Sequence, residues 1–133
     1  MPKEDVVWTY VVEDVQNGKK VVTDFFSMYR LTQTCTNSDV IALGYTQMHS
    51  ACMYFYGLTN NTLKDVVLTM LHLAKDEMAC DAFSAMTLMD NKPDLFVKEL
   101  NFLPGDGCLY YYLVNWSLGD EPVTSNDLGT ILI

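Results

Sequence analysis

The chain has 133 residues, which suits one globular domain, and half of them are hydrophobic, which is enough to form a core. Its formal net charge of -9 disfavours binding to nucleic-acid phosphates and to anionic membrane surfaces, because like charges repel. The same charge could simply keep an apolar-rich protein soluble, or it could attract basic peptides, and charge alone does not separate these interpretations.

The first predicted element is a β-hairpin. Val6 to Glu13 and Val21 to Leu31 are rich in valine and aromatic residues, which favour strands. Asn17-Gly18 lies between them and readily adopts the two positive φ angles of a type I′ turn. The sequence therefore predicts two long antiparallel strands joined by a tight turn.

The clearest helix is predicted from Thr62 to about Glu77. The Thr62 hydroxyl can cap it, and Asp65 stands at the acidic position of a capping box. Apolar residues then recur with the helical period: Leu63, Val66, Val67, Met70, Leu71 and Ala74. Between the hairpin and this helix, residues 32–37 are predicted as a loop, residues 40–48 fit either element type, and residues 51–58 are predicted as a strand.

The last third of the chain is predicted to add one helix and three short strands. Cys80 to Met89 is apolar and indicates a buried strand with its turn, and a helix is predicted from Asn91 or Lys92 to Leu100. Pro104 to Gly107 is a strong turn signal. A tyrosine-rich strand from Cys108 to Trp116 and a final strand from Leu128 to Ile133 follow, separated by a polar loop. This order predicts an α+β fold, with helices on a mixed, mostly antiparallel sheet in one domain spanning residues 1–133.

The thiols and the chain start predict a reducing, cytoplasmic location. The cysteines are scattered singly, without a C-x-x-C pair, at Cys35, Cys52, Cys80 and Cys108. His49 and Cys52 could meet on one helical turn, but two ligands make a weak metal site, so a core role and no metal are predicted. The charged first residues do not resemble a signal peptide, and no apolar run reaches membrane-spanning length, so no integral membrane segment is expected.

Several segments resemble the N-myristoyltransferase family. Tyr10 to Asp14 (YVVED) and Val22 to Tyr29 (VTDFFSMY) are similar to that family's Y-V-V-E-D and V-T-D-F-x-S-F-Y signature. Leu100 to Gly107 and Leu109 to Trp116 are similar to its L-K-F-G-x-G-D-G-x-L-x-Y-Y-x-Y-N-W. Shorter matches occur at residues 81–85, 88–91 and 128–133. The matches run almost the whole length of the chain in the family's order. They imply its C-terminal half, whose fold is related to N-acetyltransferases.

The resemblance implies a function and a set of site residues. Enzymes of this family transfer a myristoyl group from myristoyl-CoA, a co-substrate and not a cofactor, to the N-terminal glycine of proteins. By the resemblance, the C-terminal carboxylate of Ile133 is the base that accepts a proton from the glycine amine. The peptide groove is implied to include Tyr29, Cys52, Ser84, Asp106, Gly107 and Leu109.

The amine chemistry makes such a base necessary. An N-terminal amine has a pKa of about 8, so it is mostly protonated at neutral pH and must lose a proton before it attacks a thioester. A free carboxylate, with a pKa of roughly 3.5, is a feeble base in water, and removal from water strengthens it. The position of the Ile133 carboxylate therefore matters more than the Ile133 side chain.

The sequence also departs from the family pattern. Cys52 replaces a tyrosine, Ser84 replaces an asparagine and Thr32 replaces a proline, which alters the chemistry of the groove. The family's N-terminal half, which holds most of the acyl-CoA site, has no counterpart in this chain. Two alternatives therefore remain open: a non-catalytic module that kept only the peptide groove, and an inactive copy. Tyr29 and Leu109 also fit an ordinary role as sheet residues in a core, and Gly105 to Gly107 fits a plain turn.

Overall fold

The structure is a computed structural model that describes residues 5–105, 107–117, 119 and 122–129. The chain divides into two compact units, Met1–Ala85 and Met86–Ile133. The first unit holds the sheet and the long helix, and the second holds short helical turns.

The first unit begins with the predicted hairpin. Strands β1 (Val7–Gln16) and β2 (Lys19–Thr34) pair antiparallel. At the turn, Asn17 has φ 52° and Gly18 has φ 75°, the left-handed values that a type I′ turn requires. The twist of such a turn matches that of the flanking strands, so the Asn-Gly prediction is confirmed.

Two further strands complete an open mixed sheet in the described part of the chain. After a short helix α1 (Ser38–Ala42), strand β3 (Gln47–Gly57) pairs antiparallel with β2, and strand β4 (Ala82–Ser84) pairs parallel with β3. The strand order is therefore the order along the chain. The ambiguous segment 40–48 divides between α1 and the start of β3, and β2 extends three residues into the predicted loop.

Helix α2 (Leu63–Asp76) supplies one layer of the core. The Thr62 hydroxyl accepts a hydrogen bond from the backbone N–H of Asp65 at 3.2 Å, as the capping pattern predicted. The helix buries the apolar stripe formed by Val66, Val67, Met70 and Ala74. Four buried apolar residues alternate along β2 and β3 on one face of the sheet, and they are Phe26, Met28, Ala51 and Met53. The face of the sheet that carries these four residues is called the helix face below.

Three polar side chains of the helix face hold both ends of α2. The Tyr10 hydroxyl donates to the Glu77 carboxylate at 2.6 Å, and the Arg30 guanidinium donates to the Met78 carbonyl at 3.1 Å. At the other end, the buried carboxylate of Asp24 accepts hydrogen bonds from the backbone N–H groups of residues 59–61, at 2.8 to 3.1 Å. Because these residues share a strand face with Phe26 and Met28, they place the helix over that face.

The second unit is built around a small aromatic cluster. Phe96 is buried and meets Phe102 edge to face, with ring centroids 5.2 Å apart. The Asn91 amide donates to the Met86 carbonyl at 2.8 Å, and a 3₁₀ turn follows at Ser125–Asp127. The helix predicted to end at Leu100 is present, but its residues Leu95–Glu99 are π-helical, which the apolar pattern did not indicate.

The predicted strand from Cys108 to Trp116 is wrong, since the structure describes these residues and assigns them no strand. Tyrosine and valine favour strands only where a neighbouring strand satisfies the backbone groups. Here Tyr110, Tyr112 and Trp116 are exposed by 77%, 82% and 80%. Leu109 lies in this segment, so the expectation that it is a sheet residue is also wrong.

Two other strand predictions change. Only Ala82–Ser84 of the predicted strand at residues 80–89 is a strand, and both end residues are exposed, so this strand is shorter and less buried than expected. Leu88, an apolar residue of the predicted strand, is instead buried in the second unit. Leu128 and Gly129 are not in a strand, and the rest of the predicted final strand, residues 130–133, lies outside the described residues.

Candidate functional site

Three predicted groove residues lie side by side across the sheet. Tyr29 of β2 is the register partner of Cys52 of β3, which is in turn the register partner of Ser84 of β4. Because side chains of directly paired residues project on the same side of a sheet, the three form one cross-strand row. They lie on the face opposite the helix face, since Tyr29 and Cys52 alternate with its members Met28 and Ala51. This face is called the row face below.

The row is compact and uncharged. The Cys52 Sγ and the Ser84 Oγ are 3.6 Å apart, within hydrogen-bonding range for sulfur. Tyr29 is buried, Cys52 is half-buried and Ser84 is exposed, so the row runs from the interior of the unit to its surface. A phenol, a thiol and a hydroxyl can all exchange hydrogen bonds with neutral polar groups, such as a peptide backbone or a small polar side chain.

The remaining predicted site residues lie elsewhere. Gly107 and Leu109 are exposed residues of the second unit. Asp106 and Ile133 lie outside the described residues, so the predicted base and one predicted groove residue have no described geometry. The structure therefore brings together Tyr29, Cys52 and Ser84, and the roles of all seven predicted site residues stay predictions.

One aromatic residue of the row face, Tyr54, was not predicted from the sequence. The ring of Tyr54 meets the ring of Tyr29 edge to face, with centroids 5.6 Å apart and planes at 82°. The available signal was the aromatic run Tyr54-Phe55-Tyr56, which indicated a strand but not the face to which each ring projects. That information depends on the register of β3 against β2.

The sequence pair His49 and Cys52 does not form a metal site. Both residues lie on β3, three positions apart, so their side chains project on opposite faces. The imidazole Nδ1 of His49 is instead 3.0 Å from the Thr32 hydroxyl on the helix face. Within residues 5–105 and the later described stretches, no three His, Cys, Asp or Glu side chains are placed to hold a metal ion together.

The four cysteines have free thiols that differ in their exposure to solvent. Cys35, Cys52 and Cys80 are half-buried and Cys108 is exposed. Burial raises the pKa of the Cys80 thiol, and the nearby Arg30 charge offsets this only in part. The Cys80 thiol therefore ionises less readily than an ordinary cysteine thiol, which weakens it as a nucleophile.

The described helices give no sign of a membrane span. None of them combines the length and the apolar composition that crossing a bilayer requires.

Comparison with solved structures defines the fold class. The crystal structure of Saccharomyces cerevisiae N-myristoyltransferase with bound myristoyl-CoA is similar with a TM-score of 0.56 and 32% identity, over 77% of this chain and 25% of that chain. A Bacillus halodurans protein is similar with a TM-score of 0.55 over 84% of this chain and 69% of that chain, but at 9% identity this likeness concerns the fold alone. The predicted α+β fold with a mixed sheet, similar to that of an N-myristoyltransferase, is thereby confirmed.

Sequence comparison then gives the family. The family described as myristoyl-CoA:protein N-myristoyltransferase, C-terminal domain, matches residues 1–130, and the chain belongs to this family. A glycylpeptide N-tetradecanoyltransferase of Aspergillus fumigatus is 38% identical over 94% of this chain and 26% of its own length. Glycylpeptide N-tetradecanoyltransferase 1 of Arabidopsis thaliana is 35% identical over 100% of this chain and 28% of its own length. The chain thus spans about a quarter of the length of these curated relatives.

Proposed function

We propose that this chain is the peptide-binding part of a cytoplasmic glycylpeptide N-tetradecanoyltransferase, which transfers a myristoyl group from myristoyl-CoA to the N-terminal glycine of proteins. The observation that carries the proposal is the row Tyr29, Cys52 and Ser84 on one sheet face. It occurs in a chain whose family match extends over residues 1–130. In this proposal the row face contacts the peptide, and protein lipidation is the outcome of the reaction.

The chemistry assigns a separate task to each part of the site. The row holds the peptide through neutral hydrogen bonds, with Asp106, Gly107 and Leu109 as further groove residues. The carboxylate of Ile133 accepts a proton from the glycine ammonium, and the neutral amine then attacks the thioester carbonyl. An amide bond forms, the carbon–sulfur bond breaks, and coenzyme A leaves as its thiol. Holding amine and thioester in a fixed geometry supplies much of the acceleration.

In this proposal the acyl donor is held mainly by the part of a family enzyme that lies outside the region matched by this chain. An assay of the proposal therefore includes an N-terminal portion of a family enzyme. The free cysteines of the described residues support a reducing, cytoplasmic setting.

The test is an acylation assay with the chain mixed with, or fused to, the N-terminal portion of the Aspergillus fumigatus relative. The substrates are labelled myristoyl-CoA and a peptide with a free N-terminal glycine. The matched control is the same peptide with an acetylated glycine, which has no nucleophilic amine. We expect label on the free peptide only. Peptide binding without transfer would favour the non-catalytic module, and neither binding nor transfer would overturn the proposal.

A further inference from the structure

A β-bulge lies next to the row, between β2 and β3. The register runs from Phe26 paired with Tyr56 to Met28 paired with Met53. One residue of β2, Ser27, therefore stands opposite two residues of β3, Tyr54 and Phe55. An extra residue of this kind breaks the ladder, bends the strand and changes the direction of the side chains that follow.

The Ser27 side chain replaces the ladder bonds that the bulge removes. Its hydroxyl donates to the Phe55 carbonyl at 2.8 Å and accepts from the Phe55 backbone N–H at 3.1 Å. Ser27 itself is buried, so water does not readily satisfy these groups if the hydroxyl is lost. One hydroxyl thus satisfies both backbone groups of the bulged residue.

The bulge also brings two consecutive rings to the row face. In a regular strand, Tyr54 and Phe55 would project on opposite faces. Here their ring centroids are 4.3 Å apart, with planes tilted by 48°. Tyr54 at the same time meets Tyr29 edge to face, at 5.6 Å. The three rings form a continuous aromatic wall at the buried end of the row.

We infer that Ser27 and Tyr54 are positioning residues for Tyr29. Ser27 holds the bulge, the bulge brings the Phe55 ring against the Tyr54 ring, and the Tyr54 ring fixes the orientation of the Tyr29 phenol that contacts the peptide. The inference rests on the proposed function, because the orientation of Tyr29 matters for turnover only if the row binds peptide. Its structural part, the dependence of the Tyr29 ring on Ser27 and Tyr54, can be measured without any substrate.

Four variants separate positioning from folding. Ser27→Ala removes the hydroxyl, and Ser27→Thr keeps it. Tyr54→Leu removes the ring but leaves the bulge hydroxyl in place. Tyr45→Leu is the matched control, since Tyr45 is an exposed tyrosine in the loop before β3, away from the row.

The first measurement is the set of Tyr29 ring resonances in the 133-residue chain by NMR. We expect them to shift in Ser27→Ala and Tyr54→Leu and to stay near the parent values in Ser27→Thr and Tyr45→Leu. If Ser27→Ala does not fold, Tyr54→Leu still decides whether Tyr29 depends on the neighbouring ring. Unchanged Tyr29 resonances in Tyr54→Leu would overturn the inference, whether or not the chain binds peptide.

The second measurement is acylation kinetics with the N-terminal portion of the relative present and a glycine peptide varied. The free energy of an aromatic pair corresponds to about a two- to tenfold change in an equilibrium constant. We expect KM for the peptide to rise by this factor in Ser27→Ala and Tyr54→Leu while kcat changes little, with recovery in Ser27→Thr. A fall of kcat alone, or an equal effect in Tyr45→Leu, contradicts a positioning role. If the parent shows no transfer, the proposed function fails and the NMR result still stands.

Discussion

At the scale of single residues, the carboxylate of Asp24 connects strand β2 to the loop that precedes helix α2. Burial alone would raise the pKa of its carboxyl, yet hydrogen bonds from Thr23, Asn61 and Thr59 outweigh burial and hold that pKa well below its usual range. The same carboxylate accepts three consecutive backbone N–H groups ahead of α2. The negative charge of Asp24 therefore stabilises the backbone just before helix α2.

This coupling predicts an acid-dependent loss of stability. Because the folded pKa is depressed, the contribution of Asp24 is present above the ordinary carboxyl pKa of about 3.9 and disappears as pH falls toward the folded value. Asp24→Asn should lower the urea midpoint strongly at pH 7, and the difference from the parent should shrink below about pH 4. Urea unfolding at several pH values measures this.

The matched control is Asp14→Asn, because Asp14 is an exposed carboxylate that bonds only its neighbour's backbone among the described contacts. Its replacement should leave the urea midpoint nearly unchanged at every pH. A constant difference between Asp24→Asn and the parent down to pH 2 would show that the Asp24 charge does not stabilise the loop.

At the scale of elements, α2 is held by its apolar stripe as well as by its ends. Met70 is fully buried, whereas Leu68 on the same helix is 40% exposed. Met70→Ala should reduce the free energy of unfolding by about 2 to 5 kcal/mol, since it leaves a cavity in the core. Leu68→Ala should cost less than about 1 kcal/mol. Chemical denaturation of the two variants gives the comparison, and equal losses would place the core elsewhere.

Elements with strong local signals were predictable from the sequence. Asn17-Gly18 fixes its own turn through positive φ angles, and Thr62 with the following apolar stripe defines α2 without long-range information. Strand β3 was predicted from its aromatic residues, although its first four residues were not. In these cases the decisive interactions lie within a few residues along the chain.

Elements that depend on distant partners were not predictable. Cys108 to Trp116 has the composition of a strand, but composition does not provide a neighbour for its backbone groups. The bulge at Ser27 arises from the pairing of β2 with β3, which no local pattern specifies. For the site, the resemblance supplied Tyr29, Cys52 and Ser84, whereas their adjacency followed only from the register, and Tyr54 was missed for the same reason.

At the scale of the whole molecule, the proposed reaction depends on where the chain ends in space. If the Ile133 carboxylate is the base, adding one glycine after Ile133 displaces it by about 3.3 Å, the rise of one extended residue. With the N-terminal portion of a relative present, kcat should fall by about 10²- to 10⁴-fold, as for loss of a general base. Ile133→Leu keeps the carboxylate in place and should be nearly silent.

Single-turnover acylation separates this effect from peptide binding. Amidation of the C-terminus removes the charge without changing the length, so it should match the effect of the added glycine. If the Ile133 carboxylate acts as the base, peptide affinity should change less than the rate. An extended or amidated chain that acylates at the parent rate would exclude Ile133 as the base.

The placement of α2 on one face of the sheet affects how this protein can diverge. The residues that anchor the helix, Asp24, Tyr10 and Arg30, project away from the row. If the row binds peptide as proposed, substitution of the exposed Ser84, or of Cys52 beside it, changes peptide recognition without removing a support of the helix. The supports of the helix and the proposed peptide contacts thus lie on opposite faces of the sheet, so substitutions at the row leave the anchors of the helix in place.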